Sequence, residues 1–94
     1  MEFYELSCRY DARQSFYGKA KVCEYDFEDL KLIELISYST KVAYIKDYKN
    51  GSKKFVYLGK YSQTTTRHQK EFFKQNGLSD KEIKKLFEKG TLEV

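Results

Sequence analysis

Residues 41–61 hold two extended runs that meet at Asn50-Gly51. Asn-Gly is the strongest short-range signal for a two-residue type I′ turn, because both central residues of that turn need positive φ. Pairing Lys49 with Ser52 then sets the register of the whole hairpin. Ile45 falls opposite Val56 and Ala43 opposite Leu58 on one side. On the other side Tyr44 meets Tyr57, Lys46 meets Phe55 and Tyr48 meets Lys53. Successive side chains of a strand point to opposite faces, so this register predicts two unlike surfaces. One is aliphatic and suited to a core. The other, Tyr44, Lys46, Tyr48, Lys53, Phe55 and Tyr57, is aromatic and basic, and is left for a partner or for water.

The flanking segments extend the β-rich reading. Residues 3–10 alternate, with Tyr4, Leu6, Cys8 and Tyr10 on one side and Phe3, Glu5, Ser7 and Arg9 on the other, the pattern of a half-buried strand. Asp11 to Ser15 is a polar loop. Residues 16–25 resume extended character, and Gly18 marks a bulge or a close backbone approach. Residues 27–36 admit two readings: a helical turn capped by Asp26 followed by a buried strand over Leu32–Ile36, or a helix throughout. Residues 37–40 bend the chain or continue it. Thr64, Thr65 and Thr66 offer N-caps for a helix over 66–76, with Phe72 and Phe73 inward and Asn76-Gly77 as its stop. Ser79 and Glu82 form a capping box, Leu78 and Ile83 the matching staple, and Ile83, Leu86 and Phe87 an apolar stripe that Gly90 ends. Strands first and helices last predict an α+β domain. It is an antiparallel sheet of four to five strands with one or two C-terminal helices packed on one face. Its 94 residues fit a single domain over 1–94, β-rich over 3–61 and helical over 64–90.

Charge and cysteine usage narrow the function classes. Lys and Arg outnumber Asp and Glu by 18 to 14, which weakly favours an acidic partner. Only Arg9, Arg13 and Arg67 of those 18 cations are arginines, few for a dedicated reader of phosphates or bases. Cys8 and Cys23 read as reduced thiols of a cytoplasmic protein. Residues 1–5 have neither the basic nor the apolar part of a signal peptide, and no apolar run approaches a membrane span.

Three stretches carry a family resemblance: Ser15-Phe16-Tyr17-Gly18-Lys19-Ala20-Lys21-Val22, Ser37-Tyr38-Ser39-Thr40-Lys41-Val42-Ala43, and Tyr61-Ser62-Gln63-Thr64-Thr65-Thr66-Arg67-His68 running into Glu71 to Gly77. In this order, over roughly residues 10–78, the chain resembles a family of small proteins from phages and mobile elements of low-GC Gram-positive bacteria. It departs from that pattern in the acidic segment around Asp26–Asp29 and in the helix over 79–90. The resemblance implies a context rather than a chemistry. Small phage proteins without enzymatic signatures often bind a host protein, and anti-CRISPR proteins are one such group.

Each candidate site has a functional and a plain reading. The Tyr/Lys hairpin face suits stacking on bases with Lys at phosphates, or a protein interface rich in tyrosine; equally, cross-strand Tyr pairs stabilise a wet sheet. Arg67 and His68 sit at a helix start, where backbone N–H groups bind anions; the plain reading is a capped helix with His68 against Phe72. A single histidine excludes a multi-His metal site, and no cofactor is implied. No Ser-His-Asp or Cys-His spacing marks an active site, and no phosphate-loop motif is present. The expectation is a non-enzymatic protein that binds a host protein, as an inhibitor of a defence effector. The alternative is single-stranded nucleic-acid binding through the aromatic face.

Overall fold

The computed structural model describes residues 1–94. Six strands form one antiparallel sheet in sequence order: β1 (Glu2–Glu5), β2 (Ala20–Asp26), β3 (Leu30–Ser37), β4 (Thr40–Tyr48), β5 (Lys53–Tyr57) and β6 (Thr91–Glu93). Two helices, α1 (Gln63–Gln75) and α2 (Asp80–Lys89), lie between β5 and β6 in the chain. The fold is α+β, with six strands where four to five are expected from the sequence. Strand β6 spans only three residues, too few to show alternation. It exists because Gly90 takes a left-handed conformation at φ 83, which needs no Cβ to be accommodated. The chain reverses there and lays Leu92 beside Phe55.

Residues 27–36 resolve in favour of a strand, since β3 runs from Leu30 and pairs along its length with β2 and β4. The first strand is shorter than its alternation implies, ending at Glu5. Residues 6–19 leave the sheet and cross over α1. They are held there by the buried Glu71 carboxylate, which accepts the Tyr10 and Asp11 N–H groups at 2.9 and 2.8 Å.

The hairpin departs from expectation by one residue, and that residue matters. The Gly51 N–H bonds to the Tyr48 carbonyl at 3.0 Å and the Tyr48 N–H to the Ser52 carbonyl at 2.9 Å. The loop is therefore Lys49-Asn50-Gly51, and only Gly51 among them has positive φ, at 99°. A type I turn followed by a left-handed glycine is the standard three-residue hairpin loop. Asn50 serves it differently from the expected way: its side-chain oxygen accepts from the Ser52 N–H and hydroxyl at 3.0 and 2.7 Å. Ile45 consequently pairs with Phe55 and Ala43 with Tyr57, while Tyr44 pairs with Val56 and Lys46 with Lys54. The one-residue slip exchanges every side chain of β5 between faces. Burial decides it, because Phe55, only 1 % exposed, removes more apolar surface from water than Val56 would at the same place.

Both helices cover the same face. Phe73 of α1 meets Phe55 edge-on at 6.3 Å, and Phe87 of α2 stacks on Tyr57 at 4.2 Å. Val22, Leu35, Val42, Ala43, Ile45, Phe72, Ile83 and Leu86 complete the buried centre. Val42 and Ala43 both turn inward because the β3–β4 register shifts between Leu35 and Ile36, as a bulge allows. The capping box of α2 forms as the sequence implies: Ser79 Oγ accepts from the Glu82 N–H at 3.2 Å, and Glu82 accepts from the Ser79 N–H at 2.9 Å. Helix α1 starts earlier than the threonines suggest, since Ser62 caps it by accepting the Thr65 N–H at 3.1 Å.

Candidate functional site

Two regions gather the residues singled out in the sequence. The first is the start of α1, where the three motif stretches converge. Ser37 closes β3 with its hydroxyl aimed at α1, 2.9 Å from Thr65 Oγ1 and 2.8 Å from His68 Nδ1. Phe16 packs edge-on against the imidazole at 4.5 Å, and the Tyr38 ring lies 6.0 Å from it on another side. The Tyr38 N–H donates to the Lys19 carbonyl at 2.7 Å, binding the first stretch to the second. His68 therefore sits among Phe16, Ser37 and Tyr38. It is wholly buried, and its Nε2 has no hydrogen-bond partner. Burial pushes the imidazole below its ordinary 6.5, more than offsetting the pull of the Asp11 carboxylate. A protonated ring here would carry a buried N–H⁺ without an acceptor.

A serine hydroxyl 2.8 Å from a histidine nitrogen is the distance of a nucleophile and its base. Sequence spacing gave no hint of the pair, because the two residues lie 31 positions apart and meet only through packing. Ser37, Thr65 and His68 are all buried, however. Their hydrogen bonds tie the end of β3 to the first turns of α1. His68 is accordingly not available to an anion from solvent.

Arg67 is half used. Its Nε and Nη2 bind the two Asp11 carboxylate oxygens at 3.1 and 3.2 Å. Burial raises the Asp11 carboxyl, but the Arg13 N–H and the Arg67 guanidinium more than reverse this and hold it below the usual carboxylate range. The rest of the Arg67 side chain faces a concavity beside the helix start, which it shares with Arg13, Lys60 and Lys70.

The second region is the sheet face that no helix covers. Its rows run across the strands. Phe3, Cys23, Glu34, Tyr44, Val56 and Thr91 form one row. Tyr25, Leu32, Lys46, Lys54 and Glu93 form the next. Glu5, Lys21, Ile36 and Lys41 form a third. Cys23 and Val56 are buried here by their neighbours alone, outside the helix-covered core. Lys41 bridges to Glu34 at 2.8 Å and lies 6.0 Å from the Tyr44 ring centre; Lys21 sits 5.6 Å from that of Phe3.

The slipped register divides the expected aromatic-basic surface. Tyr44, Lys46 and Tyr48 are on the uncovered face by alternation. Lys53, Phe55 and Tyr57 belong to the helix-covered face, where Phe55 is buried and Tyr57 is stacked on Phe87. What sequence reading missed are the partners that β2 and β3 bring: Cys23, Tyr25, Leu32 and Ile36. The 20–36 segment alternates too, and carrying its alternation across the sheet locates them.

No group of three His, Cys, Asp or Glu side chains is placed to hold a metal ion, and no helix is long and apolar enough to cross a membrane. Residues 4–89 match the model of a family of unknown function, DUF8033. No curated protein and no solved structure matches the chain.

Proposed function

The chain belongs to DUF8033, a family of unknown function, and we propose that it acts by binding a protein partner on the uncovered face of its sheet rather than by catalysis. The observation that carries this reading is a one-sided sheet. One face is sealed by α1 and α2; the other presents Tyr25, Leu32, Ile36 and Tyr44, with Lys21, Lys41, Lys46 and Lys54 and the carboxylates Glu5, Glu34 and Glu93 among and around them. An apolar and aromatic centre with a charged border has the anatomy of an interface. The border carries both signs, with Lys46 and Lys54 free of ion pairs, so a partner with acidic groups opposite those two lysines is favoured. The resemblance to phage and mobile-element proteins supports a host protein in that role, a defence effector being the specific case. Stacking of single-stranded nucleic acid is less well served than the sequence suggests, because Phe55 and Tyr57 are withdrawn from this face.

Site-specific photo-crosslinking in host lysate tests the reading. A crosslinking residue at Tyr44 or at Tyr25 is expected to capture the same protein, and Lys46→Glu with Lys54→Glu to abolish the capture while the fold persists by circular dichroism. Capture only from a crosslinker placed at Lys85 on α2, or capture indifferent to the charge reversals, overturns it.

A further inference from the structure

The concavity at the start of α1 is separate from the sheet face, and it is built differently. Its volume is about 380 Å³ and its wall contains no hydrophobic residue. Four cationic side chains converge on it from three parts of the chain. Arg13 comes from the segment that crosses α1, Lys60 from the connection after β5, and Arg67 and Lys70 from the helix. None of the chain's carboxylates lines it. Asp11 neutralises Arg67 in part from outside the wall, and none of the chain's ion pairs includes Arg13, Lys60 or Lys70. Asp11 acts on both Arg67 and Arg13, and Lys70 also borders Asp11 and Glu71, but four cations facing one wall that holds no carboxylate leave a net positive charge, which an entering anion offsets. Thr64 and Thr66 add hydroxyls to the same wall, and the N–H groups of Gln63 and Thr64 find no acceptor in the chain.

We infer that this concavity binds a linear oligophosphate, either as free polyphosphate or as the phosphate tail of a nucleotide. The volume exceeds what one small inorganic ion fills and falls in the range of small-ligand sites. The absence of apolar lining leaves nothing for a base or an acyl chain to bury against, so recognition centres on the charged groups. Guanidinium groups suit phosphate because they present paired N–H donors, and the two lysines add point charges along the chain of phosphates. Asp11 and Glu71 give the site its rigidity: they fix Arg67 and the crossing segment that carries Arg13.

The test is titration of the ¹⁵N-labelled full chain with sodium tripolyphosphate at constant ionic strength, followed by amide shifts. Saturable shifts are expected at Gln63, Thr64 and the Arg13 segment. Arg13→Gln and Lys70→Gln should each weaken binding about tenfold, the size of one lost charge-assisted contact. Lys70→Arg should restore most of it, and Lys89→Gln at the far end of α2 should change nothing. Thermal melts of each variant separate loss of the site from loss of the fold. A nucleoside triphosphate that binds more tightly than tripolyphosphate supports the site and assigns it to nucleotides; equal affinity supports it and assigns it to the phosphate chain alone. Shifts that sulfate reproduces at equal concentration, binding undiminished in both Gln variants, or binding of a single-stranded oligonucleotide without any of tripolyphosphate overturn the inference.

Discussion

His68 shows how one residue changes meaning once its surroundings are known. At a helix start beside Arg67 it reads as an anion contact; in the fold it is sealed between Phe16, Ser37 and Tyr38. Its consequence is a pH dependence of stability. Burial depresses the folded imidazole below its ordinary 6.5, so as pH falls the unfolded chain takes the proton first. The contribution of His68 is therefore complete above about pH 6.5 and is lost as pH falls below it, through the folded value. Melting temperatures measured between about pH 7.5 and about pH 5 should decline in the native chain, and His68→Gln should flatten that decline even though it starts lower. A native profile that is level across this window contradicts a buried neutral imidazole. Asp11 titrates in a separate, more acidic window, below its ordinary 3.8. Nearby, Tyr17 and Tyr38 hold positive φ, at 54° and 59°, which is costly for bulky side chains. Tyr38 is fixed by its N–H bond to Lys19 and by its approach to His68.

Among the elements, the β4–β5 hairpin carries the sharpest contrast between local signal and outcome. Asn50-Gly51 locates the turn, and that much is local chemistry. Whether the loop holds two residues or three depends on which side of β5 is buried, and only α1 and α2 supply that information. The register can be checked by mutation. Phe55→Ala should cost about 3–5 kcal/mol, the usual loss for a core phenylalanine. Tyr44→Ala should stay within about 1 kcal/mol, as expected for a half-exposed cross-strand residue. Denaturant melts giving the reverse order would restore the two-residue loop. Helix α2 lies at the opposite extreme: its cap, staple and stop all depend on neighbours within a few residues, so its limits are readable directly. Strand β6 is unreadable for the converse reason, since three residues become a strand only because β5 offers an unpaired edge.

Across the whole molecule, the crossing segment 6–19 joins the two layers, and Glu71 is its anchor. Its carboxylate accepts two backbone N–H groups of that segment and the Gln75 side-chain amide. Glu71→Ala leaves the Tyr10 and Asp11 amides without partners, a loss of about 1–3 kcal/mol that the segment can relieve by opening to water. Tryptic cleavage after Arg9 and Arg13 should then accelerate well beyond what the lower global stability explains. Cleavage rates that change only in step with melting temperature would show the segment to be held by its apolar contacts instead. Composition, hydrophobic period and capping chemistry determine by themselves that this chain is α+β, that a turn falls at Asn50-Gly51, and where α2 starts and stops. These are properties of bonds that close within a few residues. Tertiary structure alone decided the register of β5, the sixth strand, the pairing of Ser37 with His68 and the meeting of Arg13, Lys60, Arg67 and Lys70. Each of those joins residues far apart in the chain, so none can be read from neighbours within a few residues; the register of β5 is settled by which face buries more apolar surface.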